Sequence, residues 1–178
     1  MGGTGRNTGK TTLVEKLLAK FALRMPVTAI KMANNKPDEM QHHGHDVSGF
    51  HEKILLQRET RTDGNKDSMR FLKAGASVSW YIQTEDAFLA KTFPEIEQIL
   101  KGAQWGICES NSLYRFVRPA LFIMIRGKGE RGEKNTSGPF QAADVVVEAM
   151  NSEQFDALVK AVDTEGDKFV LKPGSGFF

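Results

Sequence analysis

The sequence predicts an α/β fold in three layers: a mostly parallel sheet with helices packed on both of its faces. Apolar, β-branched runs of strand length alternate with segments of helical periodicity over most of the chain, as strands joined by helical crossovers require. A glycine-rich segment runs straight into the first of those helices. With 178 residues, of which 40% are hydrophobic and 26% charged, the chain can bury one sizeable core and suits a single domain over residues 1–178.

Taken in order, Leu13, Val14, Leu17, Leu18 and Phe21 recur at helical spacing with Glu15, Lys16 and Lys20 on the other face, so residues 11–24 read as a helix. Pro26 introduces Val27–Met32, a β-branched run of strand length. The polar stretch over residues 33–50 has no apolar period and exceeds the usual connection of about 4–6 residues, which marks a functional or mobile loop. Residues 51–61 are expected to extend as a charged helix. Asp67 or Ser68 is expected to cap a short helix carrying Met69, Phe71 and Leu72, ended by Gly75. Val78–Ile82 is the second clear strand. After a short helical piece, Thr92-Phe93-Pro94-Glu95 offers a capping box for a helix reaching Lys101. Trp105–Glu109, Ala120–Arg126 and Asp144–Val147 are further strand candidates, and Phe155, Leu158, Val159 and Val162 share one face of a last helix. The tail beyond Asp163 carries no clear signal.

The segment Gly5-Arg6-Asn7-Thr8-Gly9-Lys10-Thr11-Thr12 has the layout of a phosphate-binding loop, or P-loop. Gly9 allows close backbone approach, Lys10 can reach the β- and γ-phosphates, and Thr11 offers a hydroxyl to Mg²⁺. The amides from Asn7 to Lys10 and the helix N-terminus would cradle the anion. A strict match would place glycine at Thr4, so the pattern is shifted, with Gly3 one place early and Gly5 one place late. Such a loop springs from the end of a buried central strand, and Met1-Gly2-Gly3 is too short and too polar to supply one. The expectation is therefore a fold whose first strand is absent, either because the true start lies upstream or because the sheet is built without it.

A Mg²⁺ site of this kind calls for an additional carboxylate at the end of a neighbouring apolar strand. Glu109, after Trp105-Gly106-Ile107-Cys108, fits that position, the alternative being an exposed strand-end carboxylate. Asp67 reads equally as a helix cap or as a group near the phosphates.

Other features point less sharply. His42, His43, His45 and His51 fall in one window with Asp46, a pattern that suits a solvated loop better than a metal site. Asn35-Lys36-Pro37-Asp38 spells a guanine-reading motif but stands too early in the chain, and is read as coincidence. Cys108 inside an apolar strand reads as a small buried hydrophobe. Arg126, Lys128, Arg131 and Lys134 form a basic loop that either clamps an anion or simply solubilises the surface. A net charge of +2 is too small to argue by itself for nucleic acid or a membrane surface, and neither is expected as partner; one cysteine with no apolar membrane span or signal stretch points to the cytoplasm.

Together these residues resemble the molybdopterin-guanine dinucleotide biosynthesis protein B family of P-loop proteins. The likeness rests on the Gly5–Thr12 loop, Ala29-Ile30-Lys31, Asp63-Gly64-Asn65-Lys66-Asp67-Ser68 leading to Ala74-Gly75-Ala76, Cys108-Glu109, and Ala142-Ala143-Asp144-Val145-Val146-Val147. The resemblance implies a nucleotide-binding protein, typically dimeric and associated with GTP, that assists guanylylation of the molybdenum cofactor beside a nucleotidyltransferase. By that carry-over Lys10 and Thr11 hold phosphate and Mg²⁺, and Glu109 sits near the metal. The chain departs from the family in reading Met32-Ala33-Asn34-Asn35 where histidines are usual, and Glu109-Ser110-Asn111-Ser112 where Glu-Gly is usual. The expected activity is weak NTP hydrolysis, GTP before ATP, with Lys10 and Glu109 as the catalytic pair. A nucleotide-binding scaffold and a small-molecule kinase or ligase of the same fold, serving another pathway, are the alternatives.

Overall fold

A computed structural model describes residues 1–34, 54–127 and 137–177. Nine strands and five α-helices are assigned among them. The order is β1 (Gly2–Gly3), α1 (Lys10–Phe21), β2 (Thr28–Asn34), β3 (Ile54–Glu59), α2 (Asp67–Lys73), β4 (Val78–Thr84), α3 (Leu89–Lys101) and β5 (Gly106–Glu109), then β6 (Ile123–Arg126), α4 (Ser137–Ala142), β7 (Val145–Glu148), α5 (Ser152–Ala161), β8 (Val162–Glu165) and β9 (Lys168–Leu171). No helix among the described residues is long and apolar enough to cross a membrane.

The chain is α/β with a mostly parallel sheet, as the alternation of strands and helices predicts. One part has the strand order β3-β4-β2-β5 and the other β1-β6-β7, with β8-β9 a separate hairpin. All neighbours in the two larger parts run parallel except β3, which is antiparallel to β4. Met1 joins the two parts: its amine donates to the Cys108 carbonyl at 2.8 Å, and its carbonyl accepts from the Ser110 amide at 2.9 Å. The segment leading into the loop thus runs between β5 and β6.

This corrects the expectation of an absent first strand. Gly2 and Gly3 form a two-residue strand in register with Met124 and Ile125. The want of side chains is what admits them: a Cβ on Gly2 would stand 2.5 Å from the Met124 sulfur, and one on Gly3 would stand 3.0 Å from the Ile125 carbonyl oxygen. Met1-Gly2-Gly3 is short and polar for a buried strand, but close backbone approach rather than length or apolarity decides here.

Strand alternation sorts the core into two clusters. Ala29 of β2 and Ile107 of β5 face the larger one, with Leu13, Val14, Leu17, Leu18 and Phe21 of α1, Phe71 of α2, and Phe155 and Leu158 of α5. Ile30 and Met32 of β2 face the smaller, with Ile82 of β4 and Leu89 and Ile96 of α3. Helices therefore cover both faces, an arrangement compatible with a three-layer α/β fold. Beside β5 a cavity of about 280 Å³ is lined by Met1, Trp105, Gly106, Phe122, Ile123 and Phe169, among others.

Four local expectations are corrected. Residues 54–59 form β3 rather than a helix; the preceding residues 51–53 lie outside those described. Its charges suit an edge strand, with Leu56 packed on the smaller cluster and Glu59 turned inward to accept from Ser68 Oγ at 2.8 Å. Neither Asp67 nor Ser68 caps α2, whose N-cap position is Lys66 with no capping side chain. The helix expected to start at Thr92 begins at Leu89, with Pro94 inside it. Leu89, Thr92 and Ile96 are all fully buried on one face, and that burial draws the earlier turn into the helix, while the Thr92 hydroxyl donates to the Phe88 carbonyl. Val162 opens β8 rather than closing α5, and the unread tail forms the β8–β9 hairpin around Gly166 at φ +58°.

Candidate functional site

The Gly5–Thr12 segment follows β1 and runs into the first turn of α1, which begins at Lys10. Its backbone takes positive φ at Asn7 (57°) and Gly9 (95°), on either side of Thr8. Gly9 is required twice over, since a Cβ there would also stand 2.7 Å from the ring of Phe155. Leu13 is the first amide of α1 to bond back, to the Gly9 carbonyl at 2.9 Å, and no side chain caps the helix. The first turn of α1 thus opens toward the loop, where the helix dipole favours negative charge. Lys10 Nζ folds back over the loop, donating to the Gly5 carbonyl and, at 3.2 Å, to Thr8 Oγ1. Thr8 is buried, while Arg6, Asn7 and Thr12 are exposed.

Parallel register places the acidic partner. Lys31 of β2 stands opposite Glu109 of β5, on the same face as Ala29 and Ile107 but at the carboxyl ends of the strands. Glu109 is buried, yet both its oxygens are engaged: Oε2 accepts from Thr11 Oγ1 at 3.0 Å, and Oε1 accepts from Lys31 Nζ at 2.5 Å. The same ammonium lies 2.7 Å from Asp67 Oδ2, and Asp67 in turn lies 3.6 Å from Arg70, which holds Glu15 of α1 through a two-pronged contact at 2.6 and 2.8 Å. Burial alone would lower the Lys31 pKa, but Glu109 and Asp67 outweigh it and hold Lys31 protonated above its ordinary value.

Side chains after β5 fasten the loop. Asn111 accepts from the Gly3 amide at 2.8 Å and donates to the Gly3 carbonyl at 2.9 Å, pairing as a strand residue would. The Thr4 amide donates to the Ile125 carbonyl at 3.0 Å and its hydroxyl accepts from the Gly127 amide at 2.7 Å. Ser110 Oγ accepts from the amides of Ser112 and Leu113, starting a 3₁₀ turn over Leu113–Arg115. Ser110 and Asn111 thus each have a structural occupation.

Of the residues the sequence singles out, Thr11 and Glu109 come together, Asp67 is reached through Lys31, and the Lys10 ammonium stays on the loop with Gly5 and Thr8. Cys108 packs on the smaller cluster, and burial pushes its thiol up to about 11, which keeps it an inert hydrophobe at neutral pH. Arg126 pairs with Glu148 at 3.3 Å. The histidines 42, 43, 45 and 51, Asp46, the Asn35–Asp38 motif, Lys128, Arg131 and Lys134 lie outside the described residues. Lys31, Arg70 and Asn111 were not assigned roles from the residues themselves, and the available signal was a lone charge in the apolar run Val27–Met32.

Among the described residues no group of three or more His, Cys, Asp or Glu side chains is placed to hold a metal ion. Mg²⁺ needs less from the protein when it arrives on phosphates, since it keeps several waters and takes only one or two further oxygens from side chains. Thr11 Oγ1 and Glu109 Oε2 are a hydroxyl and a carboxylate oxygen 3.0 Å apart. No family model, no curated protein and no solved structure matches the chain.

Proposed function

We propose that the protein is a P-loop nucleotide-binding protein that takes a Mg²⁺-bound nucleoside triphosphate and hydrolyses it slowly. The observation that carries this reading is the 3.0 Å contact from Thr11 Oγ1 to Glu109 Oε2, at the helix end where the glycine-rich loop delivers its amides. A hydroxyl and a carboxylate at that spot are what a phosphate-bound Mg²⁺ requires, and Lys10 lies over the same loop. When bound, Mg²⁺ neutralises phosphate charge; the loop amides and Lys10 hold the phosphates, and Glu109 orients the donor set. The resemblance of the loop, of Ala29-Ile30-Lys31 and of Lys66-Asp67-Ser68 to the molybdopterin-guanine dinucleotide family favours GTP over ATP. It supplies the further proposal of a role in guanylylating the molybdenum cofactor, as a homodimer beside a nucleotidyltransferase.

Slow turnover fits Glu109, whose two oxygens are already committed to Thr11 and Lys31 and are poorly disposed to take a proton from water. The same commitment supports a second reading, a scaffold that binds nucleotide without turning it over. Titration of GTP and of ATP with Mg²⁺ against wild type and Lys10→Ala tests the first claim. The expected loss in the variant is about 10–100-fold in affinity, the worth of charge-assisted contacts to phosphate. Absence of binding by either nucleotide near 1 mM, roughly the weak limit of a specific site, would sink the reading. Glu109→Gln separates hydrolysis from scaffolding, because turnover that survives it unchanged does not belong to this site.

A further inference from the structure

Two non-glycine residues among those described have positive φ, Asn7 within the glycine-rich loop and Met150 in the turn between β7 and α5, both at 57°. A left-handed backbone is costly for a residue with a Cβ and persists where its surroundings fix it. This turn is fixed on both sides. Ala149 is buried and its amide donates to the Arg126 carbonyl at 2.7 Å, the Glu148 amide donates to Gln154 Oε1 at 2.7 Å, and Asn151 caps α5 by accepting from the Gln154 amide at 3.0 Å. Met150 nevertheless keeps 74% of its surface in solvent. The residue before a capped helix often packs on the fourth helical residue, here Phe155, but the Phe155 ring is buried against Gly9 instead.

The strained turn borders the loop, since a Cβ on Gly9 would lie 3.9 Å from the Met150 amide nitrogen. Exposed Thr12 stands one helical turn before Lys16, which pairs with Asp156 of α5 at 2.6 Å, so that flank of α1 faces the start of α5. Glu109, in contact with Thr11, lies on the β5 side, and the succession β5, β1, β6, β7 puts the Met150 turn at the other end. Ligands of open α/β sheets lie across the carboxyl ends of the strands. A nucleotide with its terminal phosphates at Thr11 and Glu109 therefore runs its nucleoside back past Thr12 toward Met150. Resting on the nucleotide reading above, we propose that Met150 is the platform for the nucleobase, its thioether against the flat face of the ring. An apolar side chain offers nothing to the hydrogen-bonding edge of a base, so guanine and adenine gain alike, and a pyrimidine, with its smaller face, gains less.

The test compares inorganic tripolyphosphate, which carries no base, with GTP and ATP, each with Mg²⁺, by titration calorimetry on the full chain. Met150→Ala should weaken GTP and ATP equally, by about 3- to 10-fold, and leave tripolyphosphate unaffected. Met150→Leu, which keeps the apolar surface, should recover most of that loss. Met150→Gly relieves the positive φ, so it should raise the urea midpoint while losing the same base contact. Unchanged GTP and ATP affinity in Met150→Ala overturns the proposal. So does an equal loss for tripolyphosphate or a lower urea midpoint in Met150→Gly, since either would make Met150 a structural residue. GTP that binds wild type and Met150→Ala alike sinks the platform and leaves the nucleotide reading standing, whereas wild type that binds neither GTP nor ATP sinks both.

Discussion

β2 and β4 run side by side over seven register pairs, from Thr28 opposite Val78 to Asn34 opposite Thr84, whereas β1 offers two, Gly2 and Gly3 opposite Met124 and Ile125. The long ladder fixes its side chains by register alone, and the β2–β5 pairing beside it makes Lys31 meet Glu109 in the same way. The short one cannot. Around β1, side chains supply what further strand residues would have given: Asn111 on Gly3, and the Thr4 hydroxyl on Gly127. The acidic half of the candidate site is thus held by backbone, while its glycine-rich half is held largely by side chains. Substitution should find the second half more fragile.

The most disruptive change should be Gly9→Val. It places a β-branched residue at φ 95° and drives a Cβ into Phe155, so strain and overpacking together should cost about 2–4 kcal/mol. Urea unfolding measures this, and a cost under about 0.5 kcal/mol, the range of an ordinary surface substitution, would mean that the loop adapts freely. Next comes Asn111→Ala, which removes two hydrogen bonds to Gly3 and should cost about 1–3 kcal/mol. Hydrogen exchange should then quicken at Gly3 and Thr4 but not at Ile30 or Lys31; equal quickening in both places would erase the contrast between the halves. The smallest expected effect is a gain. A Cβ on Gly106 of β5 meets nothing within 4 Å, so Gly106→Ala should stabilise by about 0.5–1 kcal/mol through a less flexible unfolded chain. An unchanged urea midpoint would argue that the β5 backbone strains to accept a side chain.

Fold class, most strands and the α1 helix were legible because hydrophobic periodicity reports burial directly: Leu13 to Phe21 read as one helix face and are buried as one. The glycine-rich loop, Lys10, Thr11 and Glu109 were legible because each residue type announces its chemistry at a fixed place. β3 was not, since an edge strand keeps its charges and loses the alternation that marks a half-buried one. β1 was hidden for the opposite reason, as two glycines carry no hydropathy signal although they lie buried in the sheet. Lys31 and Asn111 escaped because their roles are relations across the fold. One depends on register with Glu109, and the other on a partner 108 residues away in sequence.

The pairing of Asn111 with Gly3 also gives the molecule a chemical age. An exposed asparagine followed by serine is open to hydrolysis of its amide, and conversion to aspartate would keep the oxygen that accepts from the Gly3 amide while losing the nitrogen that donates to the Gly3 carbonyl. Two facing oxygens would then repel across the joint that aligns the glycine-rich loop with Glu109. Stored protein should lose that alignment molecule by molecule, with a mass gain of about one dalton per converted amide.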